Sequence, residues 1–230
     1  MDCVADEPVS TGPLESVVPC EALPSASAAL CMNCEVRARC LGGIAAEAGT
    51  TQLKAVLAGR RALRVREVLM EADEGQGLVY AVRSGSLVSS IRRADGEEVR
   101  GFHFPGEMVG LERPAKGKLR PTIAAMEDTQ VCVMRMAPRA GEAAGLRAVL
   151  SRLWDMMSCE VLRERAHQAL LATLPPQQRV AAFLASVTQR MRGRRGRLPP
   201  GLAGAAIASY LRVPPDTVAD GLHAFFAQQQ

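Results

Sequence analysis

The chain has 230 residues, 48% of them hydrophobic and 23% charged, and its formal net charge is +4. These values are typical of a globular protein with one large domain or two small ones, and the small positive charge allows a nucleic-acid partner without requiring one. The sequence lacks an apolar stretch long enough for a transmembrane helix, and its acidic start, MDCVADEPVS, lacks the apolar core of a secretory signal. We therefore expect a cytoplasmic protein with no membrane partner.

Three cysteines lie close together after residues 1–28, a stretch rich in Pro, Ser and acidic residues in which we expect little order. Cys31, Cys34 and Cys40 have the spacing C-x2-C-x5-C, and Cys132 lies on a predicted strand, TQVCVMRM. In a reducing cytoplasm such cysteines are typical of metal or redox sites. Four thiolates suit tetrahedral zinc and iron–sulfur clusters equally, so the spacing leaves the metal open.

The other cysteines receive different interpretations. Cys159 lies in the middle of a predicted helix, and we expect it to be buried as an apolar residue. Cys3 and Cys20 lie in the N-terminal stretch, and no role is assigned to them. For the triplet, burial as plain core is a poor alternative, because polar segments such as CEVR and RARC contain these cysteines.

The segment from Leu63 to Met136 alternates short apolar runs with the turn pairs SG, DG and PG. This pattern predicts a small antiparallel β-barrel or sandwich, in which ADGEE forms a hairpin turn. The preceding stretch, AEAGTTQLKAVLAGRRAL at residues 46–63, is expected to hold one short helix.

A long helix is predicted over residues 138–174, because the chain after Pro138 contains no further proline until Pro175. Selected positions along it follow the 4-3-4-3 spacing of a coiled-coil seam: Leu146, Leu150, Leu153, Met157, Glu160, Glu164, His167 and Leu171. A helix of this length beside a small barrel needs a partner surface, and a second copy of the chain is the simplest one. The predicted dimer interface consists of Leu150, Leu153, Met157, Val161, Glu164 and Leu171.

Glu164 lies within this apolar seam, and two copies facing each other would weaken the dimer by charge repulsion. The alternative is that Glu164 is solvated or pairs with Arg163 or Arg165 of the second copy.

Residues 175–230 predict further helices. PPQQRVAAFLASVTQRM is followed by a basic loop, RGRRGR, and then by LAGAAIASYL, RVPP and DTVADGLHAFF, which predict helix, turn and helix. The arginines around the loop either contact DNA backbone or are simply solvated: Arg190, Arg192, Arg194, Arg195 and Arg197.

At this point the sequence resembles the CRP/FNR superfamily of transcription regulators, over a stretch from about Cys31 to Leu222. The segments LVYAVRSGSL and DGEEVRGFHFPGEMVGLE are similar to the β-roll of that family. The cysteine triplet before the roll and the single cysteine on a late strand resemble the FNR branch. The resemblance implies an α+β fold with a cyclic-nucleotide-binding-type β-roll, a long dimerisation helix and a C-terminal winged helix-turn-helix.

The same resemblance implies four segments: a tail at 1–28, the cysteine loop and sensor roll at 29–137, the dimerisation helix at 138–174 and a helix-turn-helix domain at 175–230. It implies that Cys31, Cys34, Cys40 and Cys132 hold an oxygen-labile [4Fe-4S] cluster, whose assembly favours a homodimer. The RADGEE hairpin resembles the loop through which relatives contact RNA polymerase.

Two features depart from the family. Gly106-Glu107 resembles the start of a cyclic-nucleotide site, but Pro121 separates Arg120 from Thr122, so we expect no cyclic nucleotide. The final helix is expected to belong to an incomplete domain that lacks the wing. Its candidate DNA contacts are Arg212, Asp216, Thr217 and Asp220, and Asp220 stands where the family carries an arginine, which adds repulsion against phosphate.

The leading hypothesis is therefore an oxygen- or redox-responsive transcriptional regulator with a [4Fe-4S] cluster that controls dimerisation and DNA binding. One alternative is an FNR-like sensor that has lost sequence-specific DNA binding and acts through protein contacts or heterodimers, and another is a zinc-stabilised scaffold. An enzyme is not expected, because the three histidines are far apart in sequence and the motifs of nucleophile elbows and phosphate-binding loops are missing.

Overall fold

The computed structural model describes residues 18–19, 31–49, 56–70, 78–94, 96–111, 121–135, 147–191 and 198–227. Within these residues, two antiparallel sheets form a β-roll, and helices precede and follow it, which confirms the predicted α+β fold. The strands are β1 Val18–Pro19, β2 Leu57–Leu63, β3 Val68–Met70, β4 Leu78–Ser84, β5 Leu87–Arg93, β6 Gly96–His103, β7 Met108–Val109, β8 Thr122–Ala125 and β9 Thr129–Arg135.

The two sheets have the strand orders β1-β2-β9-β4-β7 and β3-β8-β5-β6. On β9, Val131 and Val133 point into the roll interior, whereas Cys132 and Met134 belong to a second cluster on the outer face of the same sheet. This division follows from the two-residue period of a strand, which sends successive side chains to opposite faces. Both faces of β9 are thereby buried, and this accounts for its nearly continuous apolar sequence.

The outer face of the first sheet is covered by the cysteine loop and by the helix α1, Leu41–Ala48. The sequence predicted a short helix within residues 46–63. Residues 50–55 of that stretch lie outside the described residues; before them α1 ends at Ala48, and after them Val56 is helical and Leu57–Leu63 forms a strand. The pair Val18–Pro19 forms a short strand against β2, in a stretch where little order was expected. The rest of that stretch lies outside the described residues.

The predicted long helix is present as α2, Arg147–Thr173. One of its faces packs on the chain's own roll, where Val149, Leu153 and Met156 join the outer cluster that contains the cysteines. Residues 138–146 lie outside the described part of the chain. None of the helices within that part is long and apolar enough to cross a membrane.

Within the described residues, three helices follow α2: α3 Pro176–Arg190, α4 Gly204–Leu211 and α5 Pro215–Ala227. The turn between α4 and α5 contains Arg212 in the left-handed conformation, with φ of 52°. A buried cluster joins α3, α4 and α5 to the roll, and within it the Phe102 ring lies 5.4 Å from Phe183 and 5.3 Å from Tyr210. The C-terminal helices therefore pack directly against β6.

A close backbone approach also joins these two parts of the molecule. A Cβ atom at Gly201, just before α4, would overlap the Met126 carbonyl of the roll. Glycine is the residue that permits such an approach.

Candidate functional site

Four cysteines line one cavity on the outer face of the first sheet. Cys31 and Cys34 come from the loop, Cys40 immediately precedes α1, and Cys132 projects from β9. Cys31, Cys40 and Cys132 are buried, with relative exposures of 6–7%, and Cys34 is half-buried. The sequence prediction that a distant strand supplies a fourth sulfur to this loop therefore agrees with the position of Cys132.

Gly42 keeps space open between two of these sulfurs. A Cβ atom placed on it would lie 3.7 Å from Cys40 Sγ, 3.8 Å from Cys31 Sγ and 3.3 Å from Met134 Cε. Any larger side chain would therefore project among the sulfurs, and glycine leaves that volume to the cavity.

Burial raises the pKa of two of these thiols, Cys132 and Cys40. It raises the pKa of Cys132 to about 12, with a further contribution from nearby Cys40 and an opposing one from Arg60. Burial is also the main reason that the pKa of Cys40 is raised, while Cys31 and Cys34 add to the increase. Without a bound metal these thiols are protonated at neutral pH, so binding would release protons.

The donor set is chemically suited to a soft metal group. Sulfur ligands select zinc, copper(I) or iron–sulfur clusters. Within the described residues, no group of three or more His, Cys, Asp or Glu side chains is arranged to hold a single metal ion.

Two arginines fasten the short 3-10 turn, Arg37–Arg39, that precedes Cys40. Arg152 of the long helix donates to the Ala38 carbonyl at 3.3 Å, and Arg39 donates to the Arg190 carbonyl at the end of α3, at 3.0 Å. The cysteine loop is thus hydrogen-bonded to the long helix on one side and to the C-terminal helices on the other.

Cys159 is exposed, so its predicted burial is wrong. Position in a helix sequence does not show which face meets the core, and Cys159 lies on the face of α2 that points away from the roll. Cys3 and Cys20 lie outside the described residues.

The residues of the predicted seam lie on two different faces of α2. Leu153 packs against the chain's own outer cluster, and two other seam residues also face the chain itself: Glu160 lines a cavity of the roll and His167 stacks on Tyr210 at 4.0 Å. The exposed apolar residues instead form an adjacent stripe, Leu150, Trp154, Met157 and Val161. These positions keep the 4-3-4 spacing of the predicted seam on a neighbouring face of the helix, and the dimer interface itself stays a prediction.

Glu164 lies beside this stripe and is exposed, where it accepts a hydrogen bond from Gln168 at 2.8 Å. Arg163 pairs within its own chain, with Glu160 at 2.7 Å and Glu107 at 3.6 Å. Arg163 is thus engaged within its own chain, and the pairing of Glu164 with Arg163 or Arg165 of a second copy stays a prediction.

Sequence reasoning missed a buried ion pair between the roll and α3. Arg190 contacts Glu107 at 2.8 and 2.7 Å, and its guanidinium lies 4.5 Å from the centre of the Phe104 ring. Arg190 is therefore neither a DNA contact nor a solvated loop residue, and the loop arginines beyond it lie outside the described residues. Only the Gly106-Glu107 motif singled out one partner, and nothing in the sequence signals a pair 83 residues apart.

Opposing effects act on these buried groups. Burial alone would raise the pKa of Glu107, but hydrogen bonding and charge from Arg190 outweigh it, and the pKa is lowered. Burial lowers the pKa of neighbouring His103 to about 4.

A second cavity lies between the roll and α2, next to the segment that resembles part of a cyclic-nucleotide site. Pro121 and Ile123 line it together with His103, Ser89 and Glu160. Arg120 lies outside the described residues, and Thr122, next to Ile123 on β8, faces the other side of the sheet by alternation.

The candidate DNA contacts lie at the start of α5 and in the turn before it. Arg212 pairs with Glu98 of the roll at 3.4 Å, Thr217 is half-buried, and Asp216 and Asp220 are exposed. Asp216 lies in the first turn of α5, where a carboxylate stabilises the helix through its dipole.

The chain is similar to several bacterial transcription regulators, although no protein-family model matches it. It is 34% identical over 125 residues to the transcriptional regulatory protein btr of Bordetella pertussis, covering 54% of this chain and 52% of that protein. The chain thus spans about half the length of that relative. It is 32% identical over 177 residues to the transcriptional activator protein anr of Pseudomonas aeruginosa, covering 75% of this chain and 70% of that protein.

Solved structures give the same picture of the fold. FixK2 from Bradyrhizobium japonicum is 27% identical, with a TM-score of 0.58, and the match covers 74% of this chain and 85% of that one. The c-di-GMP-responsive regulator CLP of Xanthomonas campestris is 16% identical, with a TM-score of 0.58. The match covers 78% of this chain and 90% of that one.

Proposed function

Since the chain belongs to the CRP/FNR superfamily and to its FNR-like branch, we propose that it is an oxygen- or redox-responsive transcriptional regulator of the cytoplasm, with a [4Fe-4S] cluster bound by Cys31, Cys34, Cys40 and Cys132. One observation carries the proposal. The four sulfurs come from two distant parts of the sequence and line a single, largely buried cavity. Such a cavity supplies soft ligands and limits access by solvent, two factors that set cluster potential and stability.

The names of two relatives support the proposal that the signal is oxygen or redox state. An anaerobic regulatory protein of Haemophilus influenzae is 26% identical over 168 residues, and a fumarate and nitrate reduction regulatory protein of Salmonella typhimurium is 26% identical over 168 residues. We extend this anaerobic role to the present chain.

The cluster, when bound, supplies an oxygen-reactive iron–sulfur group, and the chain's own residues would relay its state. The loop that carries Cys31, Cys34 and Cys40 is hydrogen-bonded to α2 through Arg152. The exposed stripe on α2, residues Leu150, Trp154, Met157 and Val161, is the surface on which a second copy would dock. A change in the loop is thereby coupled to the helix that forms the proposed homodimer.

We further propose the domain division made from the sequence: the sensor roll at 29–137, the dimerisation helix at 138–174 and the helix-turn-helix domain at 175–230. In this scheme α5 is the helix that enters the DNA major groove. RNA polymerase would be contacted through the β5–β6 hairpin.

A second function is favoured by one specific observation. The exposed side chains at the start of α5 include two carboxylates, Asp216 and Asp220, while Arg212, in the turn before α5, pairs with Glu98. Carboxylates oppose the phosphate contacts on which DNA affinity depends. The alternative is therefore a cluster-bearing sensor that does not read DNA sequence and acts through protein contacts or heterodimers.

The deciding experiment is anaerobic reconstitution with iron and sulfide, followed by DNA binding in the same tube. We expect a brown protein with broad visible absorption, four irons and four labile sulfides per chain within the error of about one each. Reconstitution with zinc gives a colourless protein, and exclusive zinc binding would contradict the proposal and favour the scaffold.

DNA binding then separates the two cluster-bearing functions. The regulator is expected to bind an inverted-repeat site of the family more tightly than random DNA of equal length, at several salt concentrations. Equal affinity for both, lost steeply as salt rises, would reject sequence-specific regulation and support the alternative.

A further inference from the structure

We propose that Arg60 supplies a fixed positive charge to the four-cysteine cavity and donates a hydrogen bond to sulfur, which raises the reduction potential of the group that the cysteines hold. This inference rests on the proposed function, because it concerns the same cavity. It adds a residue that neither the cysteine spacing nor the family resemblance singles out.

Strand register brings Arg60 to the cavity. In the antiparallel pair of β2 and β9, Arg60 lies directly opposite Cys132. Directly opposite residues on neighbouring strands place their side chains on the same face of the sheet. Arg60 lines the same cavity as the four cysteines, and its side chain is hydrogen-bonded to Cys132.

Arg60 is half-buried in the wall of the cavity. Its Nε atom is buried and has no hydrogen-bond acceptor among the described residues. A buried cation without a compensating partner is costly. Four thiolates provide a negative charge that would compensate it, and this charge is present only when the sulfurs are deprotonated by a bound group.

Two other arginines line the cavity but have different partners. Arg37 donates to the Met32 carbonyl at 2.8 Å, and Arg83 donates to Gln130 at 2.9 Å in an exposed hydrogen bond. Solvent screens such exposed charges. Arg60 is the arginine of these three whose described side-chain hydrogen bond goes to a cysteine.

The physical effect follows from charge. Reduction adds an electron to a group that already carries net negative charge, and a nearby cation stabilises the reduced form more than the oxidised form. Hydrogen bonds to the sulfurs act in the same direction. Removing Arg60 should therefore lower the midpoint potential.

The test is an anaerobic redox titration of the reconstituted full chain, using Arg60→Gln, Arg60→Lys and the wild type. Arg60→Gln is expected to lower the ratio of reduced to oxidised group about tenfold at a given potential, which is about 59 mV for one electron. Arg60→Lys keeps the charge and should recover at least half of this shift. Arg83→Gln removes an equal charge from the rim and is the matched control, expected to shift the potential much less.

A second measurement uses the metal-free, reduced protein and separates an electrostatic role from a structural one. Thermal melting of metal-free Arg60→Gln should match or exceed that of the wild type, because a half-buried cation whose Nε has no acceptor among the described residues has been removed. A lower melting temperature in both the metal-free and the loaded protein would show that Arg60 acts by packing, and would overturn the inference.

The outcomes also separate this inference from the proposed function. If the wild type binds iron and sulfide but Arg60→Gln has the same potential as the wild type, the Arg60 inference fails and the proposed function stands. If the folded wild type takes up no iron and sulfide, both fail, since the cysteines then hold no such group.

Discussion

Cys132 tests the cysteine site at the scale of a single residue, because it is the one proposed ligand that comes from the roll rather than from the loop. We expect Cys132→Ser to lose most of the iron and sulfide bound after anaerobic reconstitution. Cys159→Ser, a substitution of the same kind at an exposed helix position, should bind as much as the wild type. Iron and labile-sulfide assays check this, and full loading of Cys132→Ser would exclude Cys132 as a ligand.

His103 predicts a pH dependence of stability. Its pKa in the folded protein, about 4, is below the usual 6.5, so the folded state disfavours the protonated ring. Stability from this residue is complete above about pH 6.5 and is lost as pH falls towards 4, by an amount on the order of 3 kcal/mol. The groups that face His103 or share its surroundings are Ser89, Glu107, Glu160, Arg163 and Arg190.

Urea unfolding of the metal-free protein at pH 7, 6 and 5 measures this effect. His103→Gln should lose less free energy of unfolding over this range than the wild type does. Equal slopes for the two proteins would show that His103 does not carry the dependence. Loss of stability from Glu107, whose pKa is lowered, belongs to a more acidic window, because it starts only below the ordinary carboxyl pKa of 4.5.

The buried pair of Glu107 and Arg190 predicts strong coupling between two positions. Each side chain is only 16% exposed, and removing one partner leaves the other charged and buried. We expect Glu107→Gln and Arg190→Met each to lower the free energy of unfolding by about 3 kcal/mol. The double variant should lose clearly less than the sum of the two, and simple additivity in a double-mutant cycle would contradict a direct interaction.

At the scale of elements, the long helix shows what sequence periodicity determines and what it leaves undetermined. A heptad pattern identified α2 and its apolar residues, because both of its contact faces repeat with nearly the same period. The pattern did not separate the face on the chain's own roll, which includes Leu153, from the exposed stripe that includes Trp154. That distinction depends on where the roll lies, and the roll is built from contacts distant in sequence.

The exposed stripe predicts the effect of a charge on dimerisation. Trp154 is 72% exposed and lies near the middle of the stripe, whereas Leu162 is 62% exposed on another side of the helix. Trp154→Glu should weaken the homodimer of the reconstituted protein by about 2 kcal/mol or more, roughly 30-fold in Kd. Sedimentation equilibrium measures this, with Leu162→Glu as control, and equal effects of both substitutions would place the interface elsewhere.

At the scale of the whole molecule, the cysteine loop is hydrogen-bonded to α3 by Arg39, and α3 carries the C-terminal helices. If this bond transmits cluster state, Arg39→Ala should bind iron normally but show a smaller difference between loaded and metal-free protein. We expect that difference, measured as the ratio of DNA affinities, to fall about tenfold, or about 1.4 kcal/mol.

The matched control for this prediction is Arg37→Ala, because Arg37 belongs to the same turn but bonds within the loop. Hydrogen exchange of the last amides of α3 gives a readout that does not require DNA binding. If iron binding changes the exchange rates of these amides equally in Arg39→Ala and in the wild type, the hydrogen bond from Arg39 does not transmit the cluster state to α3.

The fold and the cysteine set were predictable from sequence because their signals are local: apolar runs between turn pairs, a proline-free helix and closely spaced cysteines. Cys132 was found because a lone cysteine on a predicted strand stood out beside the triplet. Arg60 and the pair Glu107–Arg190 were not found, since strand register and the docking of α3 on the roll create those contacts. An arginine in a strand sequence carries no sign of which face it will occupy.

The close backbone contact at Gly201 offers a way to separate the C-terminal helices from the β-roll. Because the Gly201 backbone lies so close to the Met126 carbonyl, the methyl group of Gly201→Ala would push the segment before α4 away from the roll. Small-angle scattering would detect this separation as a larger radius of gyration. In such a variant, metal binding by the cysteines could be measured without its coupling to the C-terminal helices.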